Sequence, residues 1–272
     1  MRIRILHETS YRYGMAAKSA IQLLRLTPRN HDGQFVRDWR IDIDRPGRLI
    51  RREDCFGNIT HALFLDGPLE AITITVAGTV ECEDLNGMVR DTLERFPPAF
   101  YLRGTRLTEP DPAISLLASE AGAVSPGSLE QAHALMQAIH ARMVFDVKAT
   151  NTVTTAAEAW AAGHGVCQDL SQIFVSAARE IGIPARYVSG YLVQRGIAEQ
   201  EASHAWAEAW IPDLGWVGFD PTNGICVTET HVRIAVGLDY LDAAPVRGSF
   251  YGGAEEDLSV RVRADETGQA QA

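Results

Sequence analysis

The chain reads as an α+β protein: an N-terminal antiparallel β region, then helices, then a short antiparallel sheet. Three observations predict this. Residues 1–85 alternate apolar and polar side chains with period two. Residues 112–181 carry apolar side chains at spacings of three and four. Residues 203–220 hold two runs rich in Trp, Val and Phe around a turn signal. Strands that precede helices, rather than alternating with them, indicate an α+β arrangement. The expected division is a sandwich-like region over 1–85 and a second region over 86–272 that includes a C-terminal strand.

The elements follow in order. Ile3 and Ile5 alternate with Arg2 and Arg4, and Trp39, Ile41 and Ile43 with Asp38, Arg40, Asp42 and Asp44. Ile72, Ile74 and Val76 alternate with Thr73 and Thr75. Such segments are strands with one buried face. Arg45-Pro46-Gly47 and Phe56-Gly57-Asn58 mark turns. Residues 86–110, with Phe96-Pro97-Pro98, form a connector. A helix is expected over 112–121 and another from Ser128, with Leu129, Ala132, Met136, Ile139 and Met143 on one stripe. Thr155-Ala156-Ala157-Glu158 has capping-box form and opens a short helix. Leu170, Ile173, Phe174, Ala177, Ala178 and Ile181 define one face of a helix that starts at Cys167 and stops by Gly182 and Pro184. Strands are expected over 186–193, 203–211 and 215–220, with an exposed loop over 194–202. A last strand spans 256–264 through Leu258, Val260 and Val262, and the polar residues from Asp265 are expected to fray.

Composition narrows the function. The 272 residues are 46% hydrophobic, enough for a sizeable core. A net charge of −10 repels phosphate backbones and argues against nucleic acid as a partner. No apolar run approaches the roughly 20 residues that cross a bilayer, and Met1 to Glu8 lacks a long apolar signal core. No membrane partner is expected, and the location is expected to be cytoplasmic. The four cysteines, Cys55, Cys82, Cys167 and Cys226, show neither a disulfide framework nor paired zinc spacing. Cys82 continues the face of Ile72, Ile74, Val76 and Val80 and reads as core, and Cys226 as structural. Gly-rich phosphate loops are absent. Neither a metal nor another cofactor is expected.

Cys167, His204 and Asp220 carry the chemistry. Cys167 stands at a helix N-terminus, where free amides and the helix dipole favour negative charge. His204 opens Ser203-His204-Ala205-Trp206-Ala207-Glu208, and Asp220 closes Gly215-Trp216-Val217-Gly218-Phe219-Asp220. Pro212-Asp213-Leu214-Gly215 reads as the turn between them. A hairpin centred at Pro212 would set His204 directly opposite Asp220, close enough for a hydrogen bond. A thiol, an imidazole and a carboxylate so placed form a nucleophile, its base and the base's orienter.

The segments Gly165 to Asp169, Gly182 to Tyr191, Ser203 to Glu208 and Gly215 to Thr222 resemble the transglutaminase-like superfamily, whose core is related to papain-type cysteine proteases. The resemblance covers roughly residues 140–225 and is greatest to the bacterial branch, which carries an additional N-terminal β-rich domain. It implies a papain-like/transglutaminase core in which a helix carrying Cys packs on an antiparallel sheet carrying His and Asp. It makes Cys167 the nucleophile, His204 the general base and acid, and Asp220 the imidazole orienter. The implied reaction is thiol-dependent attack on an amide of a peptide or protein substrate through a thioester. Water would complete a peptidase or amidase reaction, and an amine acceptor a transglutaminase reaction. The alternative is a non-enzymatic binding scaffold that keeps the fold. Leu170, Ser171 and Gln172 stand where the bacterial branch has Phe-Ala-His, so the pocket shape is expected to differ. The calcium-binding segments of the animal crosslinking enzymes have no match here.

Four further residues are candidates for substrate contact: Gln168, Asp169, His164 and Trp206. Asp169 equally suits a role at the helix N-terminus. His164 lies between Gly163 and Gly165, in a loop that suits a site wall. Trp206, Trp210 and Trp216 could line an acyl-donor groove, although aromatic residues more often fill cores. His204 and Glu208 have the spacing of a helical zinc site, but the surrounding pattern is that of a strand. His133 and His140 flank a helical stripe without supporting metal ligands. The oligomeric state is open: an edge of the 1–85 sheet could serve dimerisation or substrate gating.

Overall fold

A computed structural model describes residues 1–123, 129–147, 150–194, 200, 202–253 and 255–267. The period-two pattern forms β1 (Arg2–Thr27), β2 (Gln34–Ile43), β3 (Arg48–Glu53) and β4 (Ile59–Cys82). The connector contains β5 (Met88–Val89) and a 3₁₀ turn over Pro98–Leu102. Helices α1 (Pro112–Gly122) and α2 (Leu129–Arg142) follow, then β6 (Val144–Phe145), α3 (Ala156–Ala162), β7 (His164–Gly165) and α4 (Cys167–Glu180). The chain continues through β8 (Ala185–Leu192), β9 (His204–Ile211), β10 (Gly215–Asp220), β11 (Ile225–Cys226) and β12 (His231–Gly237). It ends with α5 (Tyr240–Ala243), β13 (Val246–Tyr251) and β14 (Glu256–Glu266). Asp111 caps α1, and Thr155 with Glu158 completes the capping box of α3. Ser128 lies outside the described residues, as does most of the expected loop over 194–202. No described helix is long and apolar enough to cross a membrane.

The first sheet is antiparallel and folds back on itself. Its order is β13-β1-β4-β2, with β14 also on β1 and β3 also on β4. Trp39 pairs with Gly78 near one end of β4, and Leu24 of β1 pairs with His61 near the other. A straight strand would separate those ends by roughly 55 Å. Yet Trp39 Nε1 donates to Leu26 O at 2.9 Å. The long strands must therefore bend, and the halves of the sheet enclose one core that includes Tyr11, Leu24, Leu63, Ile72 and Ile74. The register slips between Arg12 and Ala17 of β1. On β4, Gly67 comes so near that a Cβ would lie 2.3 Å from Ala17 O, so only glycine fits the bend.

The sequence pattern assigns the C-terminal strand to the 86–272 region, whereas in the structure it joins the first sheet. β13 and β14 both pair with β1, so two strands late in the chain complete the first sheet. Asp265 and Glu266 do not fray: they sit opposite Arg4 and Ile3 in the ladder. Their polarity suits an exposed rim, and their backbone is held by its hydrogen-bonded partner.

The second sheet runs β11-β10-β9-β8-β12, with β5 on β10. Helix α4 packs on one face. Ile173, Phe174 and Ala177 meet Ala207, Ala209 and Phe219 in a fully buried core. Alanine dominates β9 on that face, which lets the helix approach closely. α1, α2 and α3 cover the rest of α4, which is why Ser171, Gln172 and Ser176 are also buried.

His7 joins the two sheets. Its Nδ1 lies 2.8 Å from the Tyr191 hydroxyl and its Nε2 2.8 Å from Thr9 Oγ1. Burial lowers the imidazole to about 4. The unfolded chain therefore binds the extra proton more readily, and stability falls as pH drops from 6.5 toward 4. Urea unfolding of wild type should lose about 1.4 kcal/mol more per pH unit across that window than His7→Gln. Equal slopes would refute the linkage.

Candidate active site

The thiol is placed by the N-terminus of α4. Cys167 is its first helical residue, and Val166, extended at φ −105, precedes it. Asp169 anchors this turn. Its carboxylate accepts the Val166 N–H at 2.8 Å and the Thr150 hydroxyl at 2.6 Å. Gly165 leaves room for that carboxylate, since a Cβ there would lie 2.8 Å from Asp169 Oδ2. Sγ of Cys167 lies 4.0 Å from Ser203 O, immediately before β9. The strand that starts at His204 is thus brought to the thiol.

His204 and Asp220 meet, although not in the register expected. The hairpin pairs Trp216 with Trp210 and Phe219 with Ala207. This sets Asp220 against Trp206, two residues from His204. The turn is centred at Asp213, which adopts φ 66, and Gly215 adopts φ 85. A shift of two residues keeps every side chain on its face, and diagonal neighbours remain within reach of an imidazole. His204 Nε2 lies 2.7 Å from Asp220 Oδ2. The carboxylate also takes Asn223 Nδ2 at 2.6 Å on Oδ2, and the amides of Thr222 and Asn223 on Oδ1.

The electrostatics follow from burial and charge. Burial alone would lower His204. The Asp220 charge, its hydrogen bond and the neighbouring Cys167 side chain outweigh it and raise the imidazole to about 10. For Asp220, burial favours the neutral acid, but His204 and its other donors hold it far below the usual carboxylate range. A buried carboxylate paired in this way stays ionised and keeps the imidazole protonated and oriented.

A cavity of about 800 Å³ opens on the thiol. Cys167, Gln168, Ser203 and His204 form one wall, and Thr9, Tyr11, Leu258 and Val260 of the first sheet form part of the other. Gln168 therefore faces the cavity. Asp169, His164 and Trp206 do not line it. Asp169 is fully buried as a helix anchor. His164 sits in β7 beside Val144. Trp206 is 2% exposed and packs with Val188 and Trp216. Trp216 lies under the Arg186 guanidinium at 3.9 Å. The aromatic run is mainly core because β9 and β10 are buried on both faces.

The metal-like spacings have other partners. Glu208 is in a strand and pairs with Arg186 and Arg233. His140 bonds to the carbonyls of Pro221 and Thr222, and His133 packs edge-on to Phe219. Sequence reading missed His231, whose Nε2 is 3.3 Å from Asp220 Oδ2. Its strand was legible in the alternation of Val232, Ile234 and Val236. His204, Asp220 and His231 present three donor atoms within 4.8 Å of one another. A metal there would need an unprotonated Nε2 on His231. Nδ1 of that ring already accepts the Thr228 N–H, so the proton of the neutral ring is on Nε2 and the set does not fit a metal.

Residues 117–221 match the transglutaminase-like superfamily model, and residues 3–81 match the bacterial transglutaminase-like N-terminal region. An uncharacterized protein of Mycobacterium leprae is 31% identical, with 96% of this chain and 97% of that protein covered. A protein-glutamine gamma-glutamyltransferase of Pseudomonas aeruginosa is 32% identical over 100 residues, 33% of this chain and 15% of that protein. A crystal structure of a candidate cysteine protease from Cytophaga hutchinsonii superposes with a TM-score of 0.76 at 19% identity, covering 99% of this chain and 92% of that one. At that identity the likeness is one of fold.

Proposed function

The chain belongs to the bacterial transglutaminase-like superfamily, and from that premise we propose that it is a thiol-dependent enzyme acting on an amide of a peptide or protein. The observation that carries the reading is the 2.7 Å bond between His204 and Asp220 beside a thiol at a helix N-terminus. In the proposed reaction the Cys167 thiolate attacks the amide carbon. The oxyanion is held in part by the Cys167 N–H, which has no intrahelical acceptor at its position. One such donor is worth roughly 3 kcal/mol in the barrier. His204 gives its proton to the leaving nitrogen, the C–N bond breaks and a thioester remains. Water or an amine then attacks the thioester, His204 takes its proton, and the thiolate leaves. Water makes the protein a peptidase or amidase, and an amine makes it a transglutaminase. The net charge of −10 favours basic peptides and amines over acidic ones.

The test is incubation with a peptide library carrying a free primary amine, read by mass spectrometry. Cleavage or deamidation would report hydrolysis, and amine adducts would report transamidation. In parallel, iodoacetamide at pH 6 should label Cys167 well before the exposed Cys55. Unchanged masses together with equal labelling would reduce the protein to a binding scaffold.

A further inference from the structure

His231 lies outside every motif that marks the site, yet it shares the carboxylate that orients His204. It opens β12 and is 6% exposed. The Thr228 N–H donates to its Nδ1 at 3.2 Å. A ring nitrogen that accepts an N–H bears no proton, and the Thr230 hydroxyl, 3.3 Å from the same Nδ1, can donate to it as well, so the Nε2 position carries the ring proton. That N–H points at Asp220 Oδ2, 3.3 Å away. The tautomer is thus dictated by the backbone of the 228–231 turn, which a second bond from His231 N to Thr228 O closes at 3.1 Å. Trp206 packs edge-on against the imidazole, with centroids 5.3 Å apart.

The other donors to Asp220 are His204 and groups on residues 222 and 223. The latter belong to the turn that follows Asp220 and move with it. His231 comes from β12, on the far side of β8 in the sheet. It ties the carboxylate to a third strand, in addition to β9, which carries His204. We propose that His231 is a positioning residue: its Nε2–H fixes the rotamer of Asp220 and shares the charge that would otherwise fall on His204. The proposal rests on the triad reading above.

Removing this donor should concentrate the Asp220 charge on His204 and favour its imidazolium. His31, Asp32, Glu83, Glu208 and Arg233 line the small cavity beside His231. Glu208 and Arg233 are ion-paired, and burial lowers His31 to about 4. All five are retained in the variants compared, so their charges cancel from the difference.

The experiment is ¹⁵N NMR of the histidine rings, titrated toward alkaline pH. In wild type, His231 should appear as the Nε2–H tautomer. In His231→Phe, the His204 midpoint should rise by about one pH unit, a tenfold shift in its equilibrium. His231→Gln, whose amide can donate in the same place, should restore the midpoint. A purely structural role would lower Tm in His231→Phe without moving His204. An unmoved midpoint, or an Nδ1–H tautomer in wild type, overturns the proposal. The wild-type tautomer decides the matter even if His231→Phe fails to fold. Loss of the triad reading would show instead as an unreactive Cys167 in wild type.

Discussion

Cys167→Ala should extinguish turnover and leave the thermal unfolding midpoint close to that of wild type. The first turn of α4 does not depend on sulfur. It is held by the Asp169 bond to Val166 and by Ser171 Oγ donating to Cys167 O at 2.7 Å. The thiol is only partly buried, so its loss leaves little cavity. The proposed reaction, in contrast, needs that sulfur to form its thioester. Cys82 is buried in the core, and burial raises it to about 12. Asp220→Asn provides the graded companion. In triads of this type, losing the carboxylate while keeping its shape costs about 10⁴ in turnover, because the imidazole adopts the wrong tautomer. Product formation by Cys167→Ala, measured on the substrate found by mass spectrometry, would end the nucleophile assignment.

The largest loss of stability is expected from Glu208→Ala. Glu208 is fully buried and accepts Arg186 Nε at 2.6 Å and Arg233 Nε at 2.7 Å. Burial opposes its charge, but the two guanidiniums prevail and lower the carboxyl to about 2. Removing it takes a carboxylate from two cations in a buried sheet. Arg186 keeps Glu94 and the face of Trp216, whereas Arg233 keeps no salt-bridge partner among the described residues. Breaking such a network from one side costs roughly 3–5 kcal/mol. The contribution is present above the unfolded carboxyl value near 4.5 and is lost as pH falls toward 2. Urea unfolding at pH 7 checks the magnitude; a loss under about 1 kcal/mol would mean that water or rearrangement replaces the carboxylate. Because Arg233 and His231 share β12, the same variant should also loosen the carboxylate that orients His204.

Several local features were readable from sequence for simple physical reasons. The period-three-and-four stripe from Leu170 to Ile181 predicted α4, and the Thr155 box predicted α3. Both signals depend only on residues within a turn or two. The hairpin illustrates how far such reading goes. The sequence signal centres the turn at Pro212, the structure at Asp213, and this one-residue difference moves the partner of His204 by two positions. Side-chain parity survived because strands repeat every two residues, so His204 and Asp220 still share a face. Asp169 and Trp206 illustrate the limit. Their types suit a site, but Asp169 anchors a helix turn and Trp206 fills a core, and only neighbours distant in sequence decide which.

The amino-acid order by itself determined the strand and helix periods, the family motifs and the chemistry that a thiol, an imidazole and a carboxylate permit. These are local or pairwise properties of residues. Tertiary structure alone decided that β13 and β14 return to β1, that the first sheet walls the cavity facing Cys167, and that His231 reaches Asp220 from another strand. Such outcomes depend on which buried faces find each other across the chain, and that choice is made by packing and hydrogen bonding between segments far apart in sequence.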